Sequence, residues 1–275
     1  MNKRLTSHSS PLTPHPSPSF TGERLVAGDP LFAADLSRHL VAYAFAQEQV
    51  RGKRVLDAGC GDGYGTELLA HTALHALGVD RSAETVALAA QHYQRANLTY
   101  RACELHRLTD LGEQFDVVCN FQVIEHLVDP RPFLAQARAV LRPGGSLIVT
   151  TPNRLNSFVE NPYHVHEYLG DELAALLGSV FPRVEMRGVC GNERVMTFER
   201  ARGAQANRIL RLDPLGLRRL LPRALIEWAY PRLARLVRRN IAQSEREPAT
   251  IGPADFHLSA DAEGSLDLLA ICRME

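Results

Sequence analysis

Residues 55–65 constrain the fold of this chain most strongly, because they read as a buried strand followed at once by a glycine-rich turn. The strand part is apolar and ends in the acid Asp57, and glycine then occupies every second position from Gly59 to Gly65. Residues without a Cβ let a backbone approach a ligand closely. An amphipathic segment follows, and the first N–H groups of a helix there would point back at the turn. The segment therefore predicts a small polar ligand held against main chain at the end of a strand.

Three ligand classes use a turn of this kind, and the spacing separates them. A phosphate-binding P-loop requires Gly-Lys-Ser/Thr after the turn, and this sequence does not have it. The dinucleotide fingerprint G-x-G-x-x-G, counted from Gly59, fails because Tyr64 stands at the position of the third glycine. The acid inside the motif, Asp57, would repel a pyrophosphate but suits a ligand that carries a cation. S-adenosylmethionine, with its ammonium and sulfonium groups, is such a ligand.

In the acid-and-glycine motif of residues 57–63 the chain resembles the class I S-adenosylmethionine-dependent methyltransferases, whose first motif is this turn. The resemblance runs over about residues 52–192, with a returning strand near residues 266–272. It implies an α/β fold with a Rossmann-like, seven-stranded, mostly parallel sheet, helices on both faces and a C-terminal helical insertion. Apolar strands that alternate with helical segments independently indicate a parallel sheet covered on both faces.

Two further acids follow predicted strands. The second predicted strand ends at Asp80, 19 residues after Gly61, which is the βαβ distance at which a carboxylate can accept both ribose hydroxyls. The alternative for Asp80 is a helix N-cap, because it and Ser82 precede a helical run. The third predicted strand ends at Glu104, for which the resemblance implies contact with the adenine amino group. The backbone N–H of Leu105 would then meet the adenine ring.

The residues expected to bind the cofactor S-adenosylmethionine lie in the glycine turn or after the predicted strands. They are Asp57, Gly59, Cys60, Gly61, Gly63, Asp80, Arg81, Glu104, Leu105, Asn120 and Gln122.

The methyl acceptor is expected at the carboxyl ends of the fourth and fifth predicted strands and in the loops after them. Transfer from a sulfonium is an in-line displacement, so the protein mainly aligns the acceptor and excludes water. A hydroxyl acceptor must also lose a proton, and histidine suits that task near neutral pH. We predict His126 or His164 as base or acceptor anchor; the alternative is that a loop histidine caps the helix near Asp171 or packs on the core. The predicted catalytic residues are Glu125, His126, His164 and His166, with Gln122, Asn153, Glu167 and Tyr168 as further acceptor-side candidates.

The pattern Gln122-x-x-Glu125-His126, followed by His164, raises the question of a metal. It is similar to the Glu-x-x-Glu-His…His arrangement of the ubiquinone-biosynthesis O-methyltransferases and the small-RNA 2′-O-methyltransferases. That resemblance implies a divalent cation that binds a diol and lowers the pKa of the attacking hydroxyl. The first position differs, because the amide of Gln122 is a neutral and weaker ligand for a hard cation. A divalent metal is therefore kept as an alternative, and no residue is assigned as a metal ligand.

Composition limits the other function classes. The 275 residues carry 31 basic and 31 acidic side chains, so a formal net charge of zero gives no general attraction to nucleic acid. Five cysteines without C-x-x-C spacing argue against a disulfide scaffold or a zinc site. The sequence has no apolar run long enough for a bilayer span and no apolar stretch after Lys3 and Arg4, which leads us to expect a cytoplasmic protein.

Composition and motif positions predict five segments along the chain. Residues 1–19, rich in Ser, Thr, Pro and His, are expected to form a disordered tail. Residues 20–51 are expected to form an N-terminal helical lid and residues 52–192 the cofactor-binding core. A helical, arginine-rich insertion is expected over residues 193–260, and the returning strand of the core over residues 261–275.

The predicted insertion contains an unusually basic segment, residues 202–239, with ten arginines against Asp213 and Glu227. Leucines recur there at helical spacing. Three interpretations remain open: a helical cap over the acceptor site, a basic surface that makes peripheral contact with anionic lipid, and an arginine clamp for a phosphorylated or nucleotide-linked acceptor.

The sequence thus predicts an enzyme that transfers a methyl group from S-adenosylmethionine to a small-molecule acceptor, with no nucleic-acid partner. Relatives with a Pro-Tyr/Phe-His loop, which is Pro162-Tyr163-His164 here, imply an oxygen of a sugar, glycan or secondary metabolite. The alternatives are N-methylation of a small amine and a dinucleotide-dependent oxidoreductase built on a similar βαβ unit.

Overall fold

The computed structural model describes residues 32–158, 161–210, 232 and 251–274. The predicted tail, the start of the predicted lid and most of the predicted insertion lie outside these residues. No helix within the described ranges is long and apolar enough to cross a membrane. In chain order the elements are α1 Ala33–Gln49, β1 Arg54–Ala58, α2 Tyr64–Ala70, β2 His75–Asp80, α3 Ala83–His92, β3 Leu98–Ala102, β4 Phe115–Phe121, α4 Arg131–Val140, β5 Leu141–Pro152, α5 Gly170–Gly178, β6 Arg183–Gly191, α6 Glu193–Leu210, β7 Phe256–Ser259 and β8 Asp267–Arg273.

All of these strands belong to one sheet with the order β3-β2-β1-β4-β5-β8-β6-β7. Strands β1 to β5 pair in parallel, whereas β8 runs antiparallel to both β5 and β6. The predicted Rossmann-like α/β class is confirmed. The described sheet has eight strands rather than seven, because Phe256–Ser259, inside the predicted helical insertion, pairs with the end of β6.

Apolar side chains on both faces of the central strands explain why the sheet is covered on both sides. Neighbouring residues of a strand point to opposite faces, and Val55 and Leu56 of β1 accordingly belong to two different core clusters. Leu56 packs in the cluster that includes Phe133 of α4 and Leu173 of α5. Val55 packs in the cluster that includes Tyr43 of α1. The sheet thus lies between two helical layers, as continuous apolar strands require.

The pairing directions place the candidate site at one edge of the sheet. Strands β1, β2, β4 and β5 are parallel, so their carboxyl ends meet at the same edge, and the strand order reverses between β1 and β4. Ligands of open α/β sheets bind at such a reversal. Because β8 is antiparallel, its first residue, Asp267, also lies at this edge, opposite Pro152 of β5. Sequence reasoning that considers only the ends of strands misses a residue in that position.

Candidate active site

The turn between β1 and α2 uses its glycines in two ways. Gly59, Gly61 and Gly63 have φ values of 91°, 51° and 87°, a backbone region that favours glycine. A Cβ at Gly59 would lie 2.6 Å from Val123, and one at Gly63 would lie 2.7 Å from Ala89, so these two positions are needed for packing. A Cβ at Gly61 would have no atom within 4 Å. The turn is therefore open at Gly61, where a ligand can approach the backbone.

Main-chain hydrogen bonds attach the turn to β2. The N–H groups of Gly59 and Cys60 both donate to the carbonyl oxygen of Val79, at 2.8 and 2.9 Å. The N–H of Gly63 donates to the carbonyl of Cys60 at 3.0 Å. Burial also raises the pKa of the Cys60 thiol well above its usual value. The structure therefore shows Cys60 holding the shape of the turn, with its N–H already bonded inside the protein.

The acid of the motif, Asp57, lies buried at the end of β1 and accepts hydrogen bonds from two hydroxyl groups. Its Oδ2 atom is 2.7 Å from Oγ1 of Thr66 and 3.3 Å from the hydroxyl of Tyr43 on α1. Burial raises the pKa of Asp57 to about 6, although both hydrogen bonds act to lower it. The ring of Tyr43 lies where Gly65 leaves room, since a Cβ there would be 1.9 Å from Tyr43. Helix α1 thus packs against the turn through Tyr43.

Asp80 lies at the end of β2, almost completely buried, and its Oδ1 accepts the N–H of Ser82 at 2.9 Å. Ser82 is the N-cap of α3, because its side chain accepts the N–H of Thr85. The cap alternative therefore belongs to Ser82, and ribose binding stays the prediction for Asp80. Glu104 is exposed and Leu105 half-buried after β3, and both remain predictions for the adenine side.

Asn120 and Gln122 lie two positions apart at the end of β4, and their side chains have different neighbours. Asn120 is fully buried and donates from Nδ2 to the carbonyl of Ala58 at 2.8 Å, while its Oδ1 has no hydrogen-bond partner. Gln122, with φ of 55°, is the one non-glycine residue at positive φ in the described ranges. Its side chain lies near Asp267 of β8, whose pKa burial raises to about 6, although Arg38 and the Gln122 amide act to lower it. Asn120 thus borders the glycine turn, and Gln122 contacts β8.

Two histidines meet just beyond β4. His126 ends a one-turn 3-10 helix, and His164 lies on the loop before α5; their ring centroids are 5.0 Å apart, edge to face. Main-chain hydrogen bonds attach this loop to the 3-10 helix, because the N–H groups of Val165 and His166 both donate to the carbonyl of Glu125, at 2.8 and 3.1 Å. The fold therefore holds the two imidazoles in contact.

The hydrogen bonds of the two imidazoles differ. His126 Nδ1 lies 2.9 Å from the carbonyl oxygen of Tyr163. A carbonyl can only accept, so this nitrogen carries the proton and Nε2 carries the lone pair. His164 has its Nδ1 2.6 Å from a carboxylate oxygen of Glu167 and its Nε2 2.9 Å from the amide nitrogen of Asn161.

The carboxyl of Glu125 lies beneath these rings and is fully buried. One oxygen accepts the hydroxyl of Thr151 at 2.9 Å, and the other has no hydrogen-bond partner. Burial raises the pKa of Glu125 to about 7. One possible ligand atom from each of Glu125, His126 and His164 lies within 4.8 Å of the other two, a spacing that could hold a metal ion. The structure therefore brings together three of the four predicted catalytic residues.

The fourth, His166, points elsewhere. Its imidazole is 43% exposed, lies 3.4 Å from Glu172, and packs on Tyr168 with a centroid distance of 4.6 Å. Asn153, another acceptor-side candidate, is buried, and its amide donates to the carbonyls of Ala262 and Ser265, at 3.0 Å each. These contacts give Asn153 a structural role in fixing the chain before β8.

Helix α1 also carries charged residues that contact this edge of the sheet or helix α6. Arg38 lies 3.1 Å from Asp267, and Arg202 of α6 lies 2.8 Å from Asp35 and 2.9 Å from Glu199. No local motif marks these residues. The one available signal was the presence of polar residues within an otherwise amphipathic helix.

Residues 56–149 match the family model described as "Methyltransferase domain". A probable S-adenosylmethionine-dependent methyltransferase of Mycolicibacterium smegmatis is 39% identical over 170 residues, which cover 60% of this chain and 65% of that relative. Another, of Mycobacterium tuberculosis, is 33% identical over 264 residues, which cover 92% of this chain and 88% of the relative. This chain belongs to the class I S-adenosylmethionine-dependent methyltransferases.

This methyltransferase is also similar to a named O-methyltransferase and to a solved methyltransferase structure. It is 39% identical over 105 residues to a ubiquinone biosynthesis O-methyltransferase of Cereibacter sphaeroides, a match that covers 38% of this chain and 42% of the relative. Its fold is similar to that of a SAM-dependent methyltransferase from Archaeoglobus fulgidus, with a TM-score of 0.52 and 17% identity, over 86% of this chain and 94% of the other. The predicted enzyme class is confirmed, and the oxidoreductase alternative is set aside.

Proposed function

We propose that this methyltransferase transfers a methyl group to a hydroxyl oxygen of a sugar, glycan or secondary metabolite, and that His126 takes up the hydroxyl proton. The observation that carries the proposal is the hydrogen bond from His126 Nδ1 to the Tyr163 carbonyl, at 2.9 Å. It selects the tautomer with a basic Nε2. A base in this place lies at the sheet edge where open α/β folds bind ligands.

Residues around the glycine turn would hold S-adenosylmethionine. The open position at Gly61 lets the backbone approach the ligand, and the unpartnered Oδ1 of Asn120 is a buried acceptor suited to an ammonium group. Asp80, at the end of β2, would accept hydrogen bonds from the ribose hydroxyls, and the carboxylate of Asp57 would add negative charge behind the turn. When bound, the cofactor supplies a methyl group that its sulfonium has already activated. The protein therefore has to orient the acceptor, exclude water and accept one proton.

Similarity to a named O-methyltransferase supports oxygen as the acceptor atom. The Cereibacter sphaeroides relative is named for O-methylation in ubiquinone biosynthesis, and its matched 105 residues make up 38% of this chain. A hydroxyl acceptor also gives His126 a task, because the hydroxyl must lose a proton as the new bond forms. N-methylation of an amine that is already neutral needs no base at the moment of attack.

A panel of hydroxylated acceptors tests this function. Methyl-labelled S-adenosylmethionine would be incubated with monosaccharides, nucleotide sugars, phenols and small amines, and products would be detected by mass spectrometry. We expect labelled hydroxyl products, and we expect His126→Ala to lower turnover by about 10²- to 10⁴-fold, the usual contribution of general base catalysis. Calorimetry should show unchanged affinity for S-adenosylhomocysteine.

The exposed His71→Ala serves as the control variant and should retain full turnover. Labelled products from amines alone would contradict the oxygen assignment. Full turnover by His126→Ala would remove the assignment of the base.

A divalent cation at Glu125, His126 and His164 is the second candidate, because their ligand atoms lie within 4.8 Å of one another. We do not favour it, since His164 would have to give up its hydrogen bond to Glu167 or Asn161 to bind a metal. We therefore expect methyl transfer to survive treatment with EDTA followed by gel filtration. Loss of turnover that Mg²⁺ or Mn²⁺ restores would show that the site needs a metal.

The predicted arginine-rich segment, residues 202–239, lies largely outside the described residues. Its first part belongs to α6, where Arg202 is mostly buried in ion pairs with Asp35 and Glu199. That arginine is therefore part of the fold. The phosphorylated or nucleotide-linked acceptor, the peripheral membrane contact and the cap over the acceptor site stay predictions for the remaining residues.

A further inference from the structure

Both ring nitrogens of His164 are engaged within the protein. Glu167 lies 2.6 Å from Nδ1, and the amide nitrogen of Asn161 lies 2.9 Å from Nε2. The amide oxygen of Asn161 accepts the N–H of Tyr163 at 3.1 Å, so its NH₂ end faces His164 and donates. A neutral imidazole has one donor and one acceptor nitrogen. In His164 both are already used, so this ring could take a proton from an acceptor only by breaking one of these hydrogen bonds.

Glu167 is a well-anchored partner for this ring. Its side chain is 16% exposed, and burial alone would raise its pKa, but hydrogen bonds from His164 and Ser157 bring that pKa below its usual value. The cation of Arg38 on α1 acts in the same direction. Glu167 is therefore an ionised carboxylate at neutral pH, with hydrogen bonds to both His164 and Ser157.

The ring of His164, which hydrogen-bonds to Glu167 and Asn161, also packs against the ring of His126. The two imidazoles are in edge-to-face contact at 5.0 Å, with an angle of 74° between their planes. His126 has its own bond to the Tyr163 carbonyl, in the residue directly before His164. A rotation of His164 would therefore remove the side support of His126 and disturb the carbonyl that selects its tautomer.

We propose that Glu167 is a positioning residue that, acting through His164, fixes the imidazole of His126 for the methyl acceptor. The proposal rests on the proposed function of His126 and deepens it, since it removes His164 from the choice of base. His164 then acts as a rigid support. Catalytic side chains commonly depend on such hydrogen-bonded neighbours to hold their orientation.

Nuclear magnetic resonance on ¹⁵N-histidine-labelled protein, bound to S-adenosylhomocysteine, tests the proposal without an acceptor. In the unaltered enzyme we expect His164 to carry its proton on Nδ1. Glu167→Gln keeps an acceptor oxygen and should preserve that signature. Glu167→Ala should move the proton of His164 partly to Nε2 and shift the resonances of His126. Glu185→Gln, a substitution in a partly exposed carboxylate that pairs with Arg187 on β6, is the matched control and should change neither ring.

Steady-state kinetics give the second measurement. The acceptor is a hydroxylated compound from the panel described above that yields a methylated product. Glu167→Ala should lower kcat by about 10- to 100-fold, the range seen when a supporting hydrogen bond is removed. The KM for S-adenosylmethionine should stay within about twofold, and Glu167→Gln should recover most of the loss.

An unchanged His164 tautomer and unchanged His126 resonances in Glu167→Ala would overturn the proposal. If that variant does not fold, Asn161→Ala removes the support from the other side and should shift the same His126 resonances. Full turnover by His126→Ala, together with the expected resonance shifts, would instead refute the proposed base and leave the coupling of the two rings established. The two failures are therefore distinguishable.

Discussion

A buried carboxylate such as Asp57 serves the site at a cost to the fold. Its charge lies behind the glycine turn, next to the place where a cationic cofactor would bind. Among the described residues, the hydroxyls of Thr66 and Tyr43 donate hydrogen bonds to it. Burial is the dominant effect and raises the pKa of Asp57 to about 6. An acid whose pKa is raised on folding contributes stability below its unfolded pKa, and that contribution is lost as the pH rises through the folded value.

Asp57→Asn should therefore become more stable than the unaltered enzyme as the pH rises from 4.5 to 8. The pKa rises from 3.8 to about 6, and at about 1.4 kcal/mol per pKa unit this gives an upper bound of about 3 kcal/mol above pH 6. Urea unfolding of the cofactor-free protein at several pH values would measure it. Affinity for S-adenosylmethionine should fall in the same variant.

Asp116→Asn is the control, with the opposite sign. Asp116 has a pKa below its usual value, because the hydrogen bonds from Arg54 and Arg142 outweigh its partial burial. That variant should lose stability at pH 8 relative to the unaltered enzyme. A stability difference for Asp57→Asn that does not change with pH would contradict the assignment of its charge.

The two classes of glycine in the turn lead to a second prediction. Gly61→Ala adds a Cβ to open space at φ of 51°, so it should lose about 1–2 kcal/mol of stability from backbone strain and at least tenfold in affinity for S-adenosylhomocysteine. Gly65→Ala places its Cβ 1.9 Å from the ring of Tyr43 and should lose more stability. Calorimetry and urea unfolding separate the two effects. Equal affinity in Gly61→Ala and the unaltered enzyme would place the ligand elsewhere.

The conformation of the glycine turn could be predicted, because it depends on neighbours a few positions away. Strand, turn and helix follow within residues 54–70, and the spacing of glycine in the turn is visible in the sequence. The partners of Asn153 and Arg38 could not be predicted, because Ser265 and Asp267 are brought to them only by the antiparallel direction of β8. Contacts of that range leave no local pattern in a sequence.

At the scale of elements, α1 and α6 are joined by charge rather than by apolar contact alone. Arg202 of α6 lies between Asp35 of α1 and Glu199, and its side chain is 14% exposed. Removing one partner of a buried ion pair leaves the other without compensation. The Arg202 guanidinium thus adds an ionic link between α6 and α1.

Arg202→Met should lower the free energy of unfolding by about 3–5 kcal/mol, the range for breaking a buried pair. The more exposed Arg194, 3.8 Å from Asp255, is the matched control, and Arg194→Met should lose less than about 1 kcal/mol. Urea unfolding followed by circular dichroism would compare them. Equal losses in the two variants would show that the α1–α6 pair does not hold these helices together.

Strand β7 shows the limit of pattern reading at this scale. Its four residues, Phe256–Ser259, are too few for their alternation to stand out, and they follow a segment whose leucines and arginines favour helix. Pairing with β6 through Gly188 to Gly191 determines its conformation. Tertiary pairing of this kind overrides local propensity, which is why the described sheet is one strand wider than expected.

At the scale of the whole molecule, the cofactor should act as a stabilising ligand. S-adenosylhomocysteine at 100 times its dissociation constant should raise the free energy of unfolding by about 2.7 kcal/mol, because it binds only the folded chain. NAD should have no effect, since the turn lacks the third glycine of the dinucleotide fingerprint at Tyr64. Thermal unfolding with each ligand would measure the difference. Stabilisation by NAD alone would contradict the assigned cofactor.

The amide of Asn153 joins the end of β5 to carbonyls 109 and 112 residues further along the chain, at Ala262 and Ser265. The chain between these two ends includes α5, β6, α6 and β7, so one amide closes a segment 109 residues long. The entropy of closing a loop grows only with the logarithm of its length, about 0.6 kcal/mol for each doubling. A change in the number of residues between Asn153 and Ala262 should therefore alter the closure entropy little, while the amide keeps the end of β5 next to the start of β8. That range is a suitable place to exchange segments between relatives and so to graft a new acceptor preference onto an unchanged cofactor site.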